Sequence, residues 1–264
     1  MFGRSTVVCG GAPPSVILAF GLAFGLVAAG PGTSAEAQAR FTQGHGNLFG
    51  GRGRVEIAPP VARYVATDER AFVLDRSGQR PLLKFEDSQE VWALQPAPGP
   101  RGEVIYRDEL GRQRLRASRM GGLTVFTSDR PSGLPAALAG QAVSIRPAAI
   151  SPGVLFQHFA QQSRRVYRET RRKLSFETVQ DATPATATML ADAATVTAEA
   201  LSRFRSRKGE KGRMARLRTV RFSTGARPAA FVSGQALEIM VAPGQGVAGR
   251  PSSERIVRTM AAAD

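Results

Sequence analysis

The residues able to do chemistry are few, and most of them lack the company that chemistry requires. Cys9 is the only cysteine, and His45 and His158 are the only histidines. Structural zinc needs Cys and His in close clusters, and no such spacing occurs. The sequence contains neither a G-x-S-x-G elbow nor an S-x-x-K pair, the local signatures of two serine hydrolase mechanisms. Paired carboxylates stand at Glu86-Asp87 and Asp108-Glu109. Two carboxyls flanking a bond are what glycoside hydrolysis uses, so Asp108 and Glu109, with Arg116, define an envelope-hydrolase alternative. Adjacent acids at strand ends serve equally well as turn residues. The Gly-rich stretch Pro243–Gly249 precedes a helix start, where backbone N–H groups can hold an anion, but it lacks a Walker lysine.

The strongest chemical signal is cationic. Between Arg203 and Arg221 the chain carries Arg203, Arg205, Arg207, Lys208, Lys211, Arg213, Arg216, Arg218 and Arg221 against one acid, Glu210. Arg164, Arg165, Arg168, Arg171 and Arg172 form a second cluster upstream. Guanidinium forks match phosphate and carboxylate oxygens. Arg164, Arg168, Arg171, Arg203, Arg205, Arg207, Lys208, Lys211, Arg213, Arg216 and Arg218 are therefore the candidate anion- or partner-binding residues. Helix ends also collect cations to complement the helix dipole, which is the structural alternative. No catalytic, cofactor-binding or metal-ligating residue is assigned, and no cofactor is expected. Aromatics are not interleaved with the basic run, so base stacking is not indicated.

The elements that position these residues change in character along the chain. From Tyr64 to Ile145, short alternating runs are separated by turn signals at Arg76-Ser77-Gly78, Pro96–Gly102, Asp108–Gly111 and Gly121-Gly122, as in an antiparallel meander. Ser151-Pro152 and Thr183-Pro184 are helix starts, with an N-cap hydroxyl and proline at the first helical position. Phe156, Phe159, Val166, Tyr167 and Leu174, then Leu190, Ala194, Thr197, Leu201 and Phe204, follow near helical period. This predicts two antiparallel helices joined by a turn at Asp181–Thr183. Arg216–Phe222 and Leu237–Val241 read as strands completing the sheet, and Ser252–Ala263 as a C-terminal helix. The fold class is α+β: an antiparallel meander, an inserted two-helix hairpin over 151–208 and a short C-terminal helix. The expected domain spans 61–264, β-rich over 61–150 and with strands and the last helix over 213–264. Trp92, Phe126, Leu115, Val104, Phe159 and Leu201 are the expected core.

The first residues supply the address. Arg4, the apolar run Ser15–Gly30 and the small residues Ala35–Ala39 make a secretory signal over 1–39, cleaved after Ala37 or Ala39. The apolar run is shorter than the roughly 20 residues a membrane-spanning helix needs, so no span is expected in the mature chain. Cleavage removes Cys9 and leaves a chain without disulfides. The Gly- and Arg-rich residues 40–60 read as a flexible leader. The chain holds 36 Lys+Arg and 21 Asp+Glu, a net charge of +15, and only four of the cations are lysine. Arg4 and Glu36 cancel, so the mature chain keeps that charge. A field of this sign favours anionic lipid, lipopolysaccharide, acidic glycan or an acidic protein; after export, nucleic acid is not an expected partner. A GC-rich genome yields the same Arg-rich composition without any partner.

Arg80-Pro81-Leu82-Leu83-Lys84-Phe85-Glu86, Glu90-Val91-Trp92-Ala93-Leu94, Arg101–Tyr106, Gly121–Phe126 and Gly249-Arg250-Pro251-Ser252-Ser253-Glu254-Arg255-Ile256 are distinctive wordings. In these the chain resembles a domain-of-unknown-function family of exported alphaproteobacterial proteins. The resemblance implies export and one shared domain, and carries no activity or site residues with it. The expected function is a non-enzymatic periplasmic binding or scaffold protein with an Arg-rich surface. The alternatives are the carboxylate-pair hydrolase and a protein-interaction module built on the two helices.

Overall fold

The computed structural model describes residues 58–206 and 211–263. The expected signal over 1–39, with Cys9, and most of the expected leader, with His45, lie outside the described residues. The first nine strands are β1 Val61–Ala66, β2 Ala71–Asp75, β3 Leu82–Phe85, β4 Trp92–Ala93, β5 Gln95–Pro98, β6 Val104–Arg107, β7 Gln113–Ala117, β8 Leu123–Val125 and β9 Leu134–Gln141. All pair antiparallel, in the order β4-β3-β2-β1-β9-β8-β7-β6-β5. The meander was legible in the alternation of the sequence, and its closure was not. β4 and β5 stand at opposite ends of that order, yet only Leu94 separates them in the chain. The run from Trp92 to Pro98 therefore pairs with β3 at its start and with β6 at its end, and the sheet closes on itself. Closure removes the exposed edges that an open sheet must otherwise protect.

Alternation sends one side of each strand into the barrel. Ala62, Tyr64, Phe72, Leu74, Leu83, Phe85, Trp92, Leu94, Tyr106, Leu115, Leu123 and Val125 form one buried cluster there. Tyr64, Phe72, Phe85 and Trp92 follow one another through ring contacts of 5.5–5.7 Å. Side chains fill a barrel of this size. Trp92 and Leu115 are buried as expected, and Val104 packs against the cluster. Phe126 is a correction: it is only partly buried and does not join the barrel cluster, and the Arg116 guanidinium stands 5.9 Å over its ring.

The second half is built from α1 Pro152–Thr170, β10 Ser175–Thr178, α2 Pro184–Ser206, α3 Lys211–Arg216, β11 Thr219–Thr224, β12 Ala229–Ser233, β13 Ala236–Val241 and α4 Ser253–Ala262. Both expected helix starts occur: the Ser151 hydroxyl accepts the Val154 N–H, and the Thr183 hydroxyl accepts the Thr186 N–H. The strands do not complete the barrel sheet. They form a separate sheet ordered β10-β11-β13-β12, with β10, β11 and β13 parallel. Parallel strands need crossovers, and α2 with α3 supplies the one between β10 and β11.

That crossover also corrects the helix orientation. His158 meets Thr195, Arg165 meets Glu199 and Glu169 meets Ser202. The contacts advance together along both chains, so α1 and α2 run parallel, with β10 as the return between them. α2 is buried on nearly every side through Ala187, Ala191, Ala194, Ala198 and Leu201. Its small side chains let α1, α4 and the sheet approach closely. Phe159, Leu201, Phe204, Val220, Phe222, Ile239 and Ile256 join the same core. No helix among the described residues is long and apolar enough to cross a membrane.

Burial pushes the His158 imidazole below the usual histidine pKa, with nearby Asp192 opposing. The unfolded chain then takes up the proton first, so the stability held by neutral His158 is complete above about pH 6.5 and is lost as pH falls. Urea denaturation at decreasing pH should show this loss, and His158→Gln should flatten it.

Candidate anion-binding surface

The parallel packing of α1 and α2 places their C-terminal ends side by side. Arg168 and Arg205 lie in the last turns of the two helices. Arg171 caps α1 in the left-handed conformation, at φ 59°, and its N–H returns to the Tyr167 carbonyl. The Arg172 guanidinium donates to the Ala215 carbonyl at 2.5 Å, drawing α3 to the end of α1. The Ser175 N–H donates to the Arg218 carbonyl, which brings in the start of β11. Arg168, Arg171, Lys173, Arg216 and Arg218 thus gather at one end of this lobe, all exposed. Arg164 continues the group up α1.

Arg164, Arg168, Arg171, Lys173, Arg205, Arg216 and Arg218 make neither ion pairs nor side-chain hydrogen bonds among the described residues. Other arginines of the same lobe are consumed internally. Arg165 binds Glu169 and Glu199, Arg221 bridges Glu177 and Glu238 across the sheet, and Arg250 binds Asp192. Arg203 belongs to this second class. It is held by Glu199 at 3.1 Å and donates to the Ser253 hydroxyl at 2.9 Å, with Glu90 at 3.7 Å. Arg203 is therefore a structural residue and not a free cation. Arg207 and Lys208 lie outside the described residues; Lys211 and Arg213 fall on α3. Lys173 was missed in the sequence, although its place directly after the α1 cluster marked it.

Helix periodicity adds apolar groups to the surface. Phe156, Ala160, Arg164, Tyr167 and Arg171 are spaced to share one side of α1. Phe156 and Tyr167 are about half exposed, at 55% and 50%. Phe156, Phe159, Ala160, Ser163, Lys173, Leu174, Ser175, Phe176 and Arg218 enclose a cleft of about 460 Å3 between α1 and β10.

Asp108 and Glu109 do other work. The Asp108 carboxylate is buried, accepts the Leu110 and Arg112 N–H groups of its turn, and binds the Arg112 and Arg114 guanidinia. Glu109 accepts the Ser252 N–H at 2.6 Å and faces Arg255 at 3.3 Å. Arg116 lies near Glu103 instead, at 4.0 Å. The recess beside both acids holds about 60 Å3, well below the roughly 300 Å3 at which ligand pockets begin. Each of the two carboxylates is thus held by structural partners of its own. Among the described residues no group of three His, Cys, Asp or Glu could hold a metal ion, and His158 faces Thr195 and Gln162.

The distinctive segment from Gly249 to Arg255 joins the two halves. Glu90, fully buried, accepts both the N–H and the hydroxyl of Ser253 at the start of α4. Glu109 takes the preceding N–H. Two barrel carboxylates thus satisfy orphan donors at the positive end of the helix. Arg250 completes the joint by donating to Asp192 on α2 and to the Val91 carbonyl. A Cβ on Gly249 would stand 2.0 Å from the Ala242 carbonyl oxygen, so no other residue fits there.

A closed antiparallel barrel locked to a helix-covered mixed sheet, with a cationic end that has no ion pair among the described residues, makes an α+β protein of two joined halves. The chain belongs to the family described as Domain of unknown function (DUF4908), whose profile matches residues 45–260. No curated protein and no solved structure matches the chain.

Proposed function

We propose that this is an exported, non-enzymatic binding protein of the cell envelope, and that its unpaired cationic face engages an anionic partner. One contrast carries the reading. Arg165, Arg203, Arg221 and Arg250 are neutralised by carboxylates, while Arg164, Arg168, Arg171, Lys173, Arg216 and Arg218 converge on one end without an ion pair among the described residues, Glu169 acting on Arg168 only through space. The helix C-termini beneath contribute partial negative charge that holds the cations in place and leaves their donors free. Phe156 and Tyr167 add apolar contact area, which suits an amphiphilic partner. The signal-like residues 1–39 supply the address.

Sedimentation of the mature chain with phosphatidylglycerol-containing vesicles, against neutral phosphatidylcholine vesicles, tests this. Binding is expected only to the anionic vesicles and should fall steeply as salt shortens the screening length. Equal binding to both, or none, removes the proposal.

A further inference from the structure

The cleft beside the cationic face has the construction of a strand acceptor. β10 is an edge of its sheet. The Ser175 N–H donates to the Arg218 carbonyl and the Val179 N–H to the Phe222 carbonyl, so odd-numbered residues of β10 pair with β11. Alternation then turns the amide and carbonyl of Phe176 and Thr178 outward, where no backbone group among the described residues meets them. α1 stands alongside, and Ser163 ties it to the strand by donating to the Leu174 carbonyl at 2.6 Å.

The floor of the cleft is aromatic. Phe159 lies 6.4 Å from Phe156, 6.5 Å from Phe176 and 5.0 Å from Phe222. Lys173 and Arg218 form its polar rim, and no acid lines it. Resting on the cationic face described above, we infer that the α1–β10 cleft docks an extended acidic polypeptide segment as an added strand on β10. Added strands draw affinity from main-chain hydrogen bonds and specificity from pockets for alternate side chains. Alternate apolar side chains of the segment would enter the aromatic floor, and a carboxylate would meet Lys173 and Arg218. A second copy of this chain is a poor occupant, because each copy carries a net charge of +15 and like charge opposes self-association. A lipid phosphodiester is also poor, since it has no donor for the outward carbonyls of β10.

The test uses a capped, fluorescent peptide of alternating valine and glutamate, titrated by anisotropy into the mature protein. Two further peptides carry N-methyl groups on one or the other alternate set of amides. The expected result is binding that one N-methyl set weakens at least tenfold and the other leaves nearly unchanged. Phe156→Glu, on the exposed side of α1, should weaken binding similarly while the circular dichroism spectrum is retained. Failure of the peptide to bind, or equal effects of both N-methyl sets, overturns the strand-acceptor inference. If anionic vesicles still bind in that case, the cationic-face proposal stands without it. Loss of vesicle and peptide binding together removes both.

Discussion

Arg250→Met is expected to destabilise the protein by about 3–5 kcal/mol, the cost of stranding the partner of a buried ion pair. The Arg250 side chain is 3% exposed and that of Asp192 is 9% exposed, with Nε 2.5 Å from the carboxylate. The same guanidinium donates to the Val91 carbonyl at 2.7 Å, so its loss also leaves a buried acceptor without its partner. Removing both charges in Arg250→Met with Asp192→Leu should recover much of the loss, because an apolar pair of similar volume need not be worse than a buried ion pair. Urea denaturation of the single and double variants measures the difference. A single variant as stable as wild type would mean that Arg250 does not lock the barrel to α2.

The second large effect belongs to the aromatic centre of the other lobe. Phe222→Ala should cost about 3–5 kcal/mol, combining lost transfer energy with the cavity left behind. Phe222 is fully buried on β11, stacked 5.0 Å from Phe159 and 5.8 Å from Phe176. Phe222→Leu should cost clearly less because it retains most of the apolar volume. Phe159 and Phe176 also line the α1–β10 cleft, so the alanine variant should weaken peptide docking as well as lower the denaturation midpoint. Equal stabilities for the alanine and leucine variants would contradict this packing.

The readable parts of the fold were those set by local signals. The Ser151 cap and the Asp108 turn each depend on a few neighbouring residues, and each appears as read. The α+β class follows from them. What the sequence did not disclose depends on distant pairing. Nothing local says that Leu94 carries the chain from one edge of a sheet to the other, or that Thr219–Thr224 pairs with Ser175–Thr178. A short strand with only Phe176 as a strongly apolar residue was hidden between two helices, so the helices were read as antiparallel. The cationic run was legible, but its division was not: Arg203 has buried partners contributed from Glu90 and Ser253, far away in sequence. The same held for the Gly249–Arg255 segment, whose wording was conspicuous and whose joining role needed the positions of Glu90 and Glu109.

The central claim is that the location of the free cations matters, beyond their number. Arg164→Gln, Arg168→Gln and Arg171→Gln together remove three charges from the proposed face. Arg101→Gln, Arg119→Gln and Arg130→Gln remove three exposed charges from barrel turns instead, none ion-paired among the described residues. Each cation near an anionic leaflet contributes about 1 kcal/mol, so the first set should weaken binding to phosphatidylglycerol vesicles on the order of 100-fold. The second set should leave it nearly unchanged. Equal losses from both sets would contradict the account and reduce the positive charge of the chain to composition.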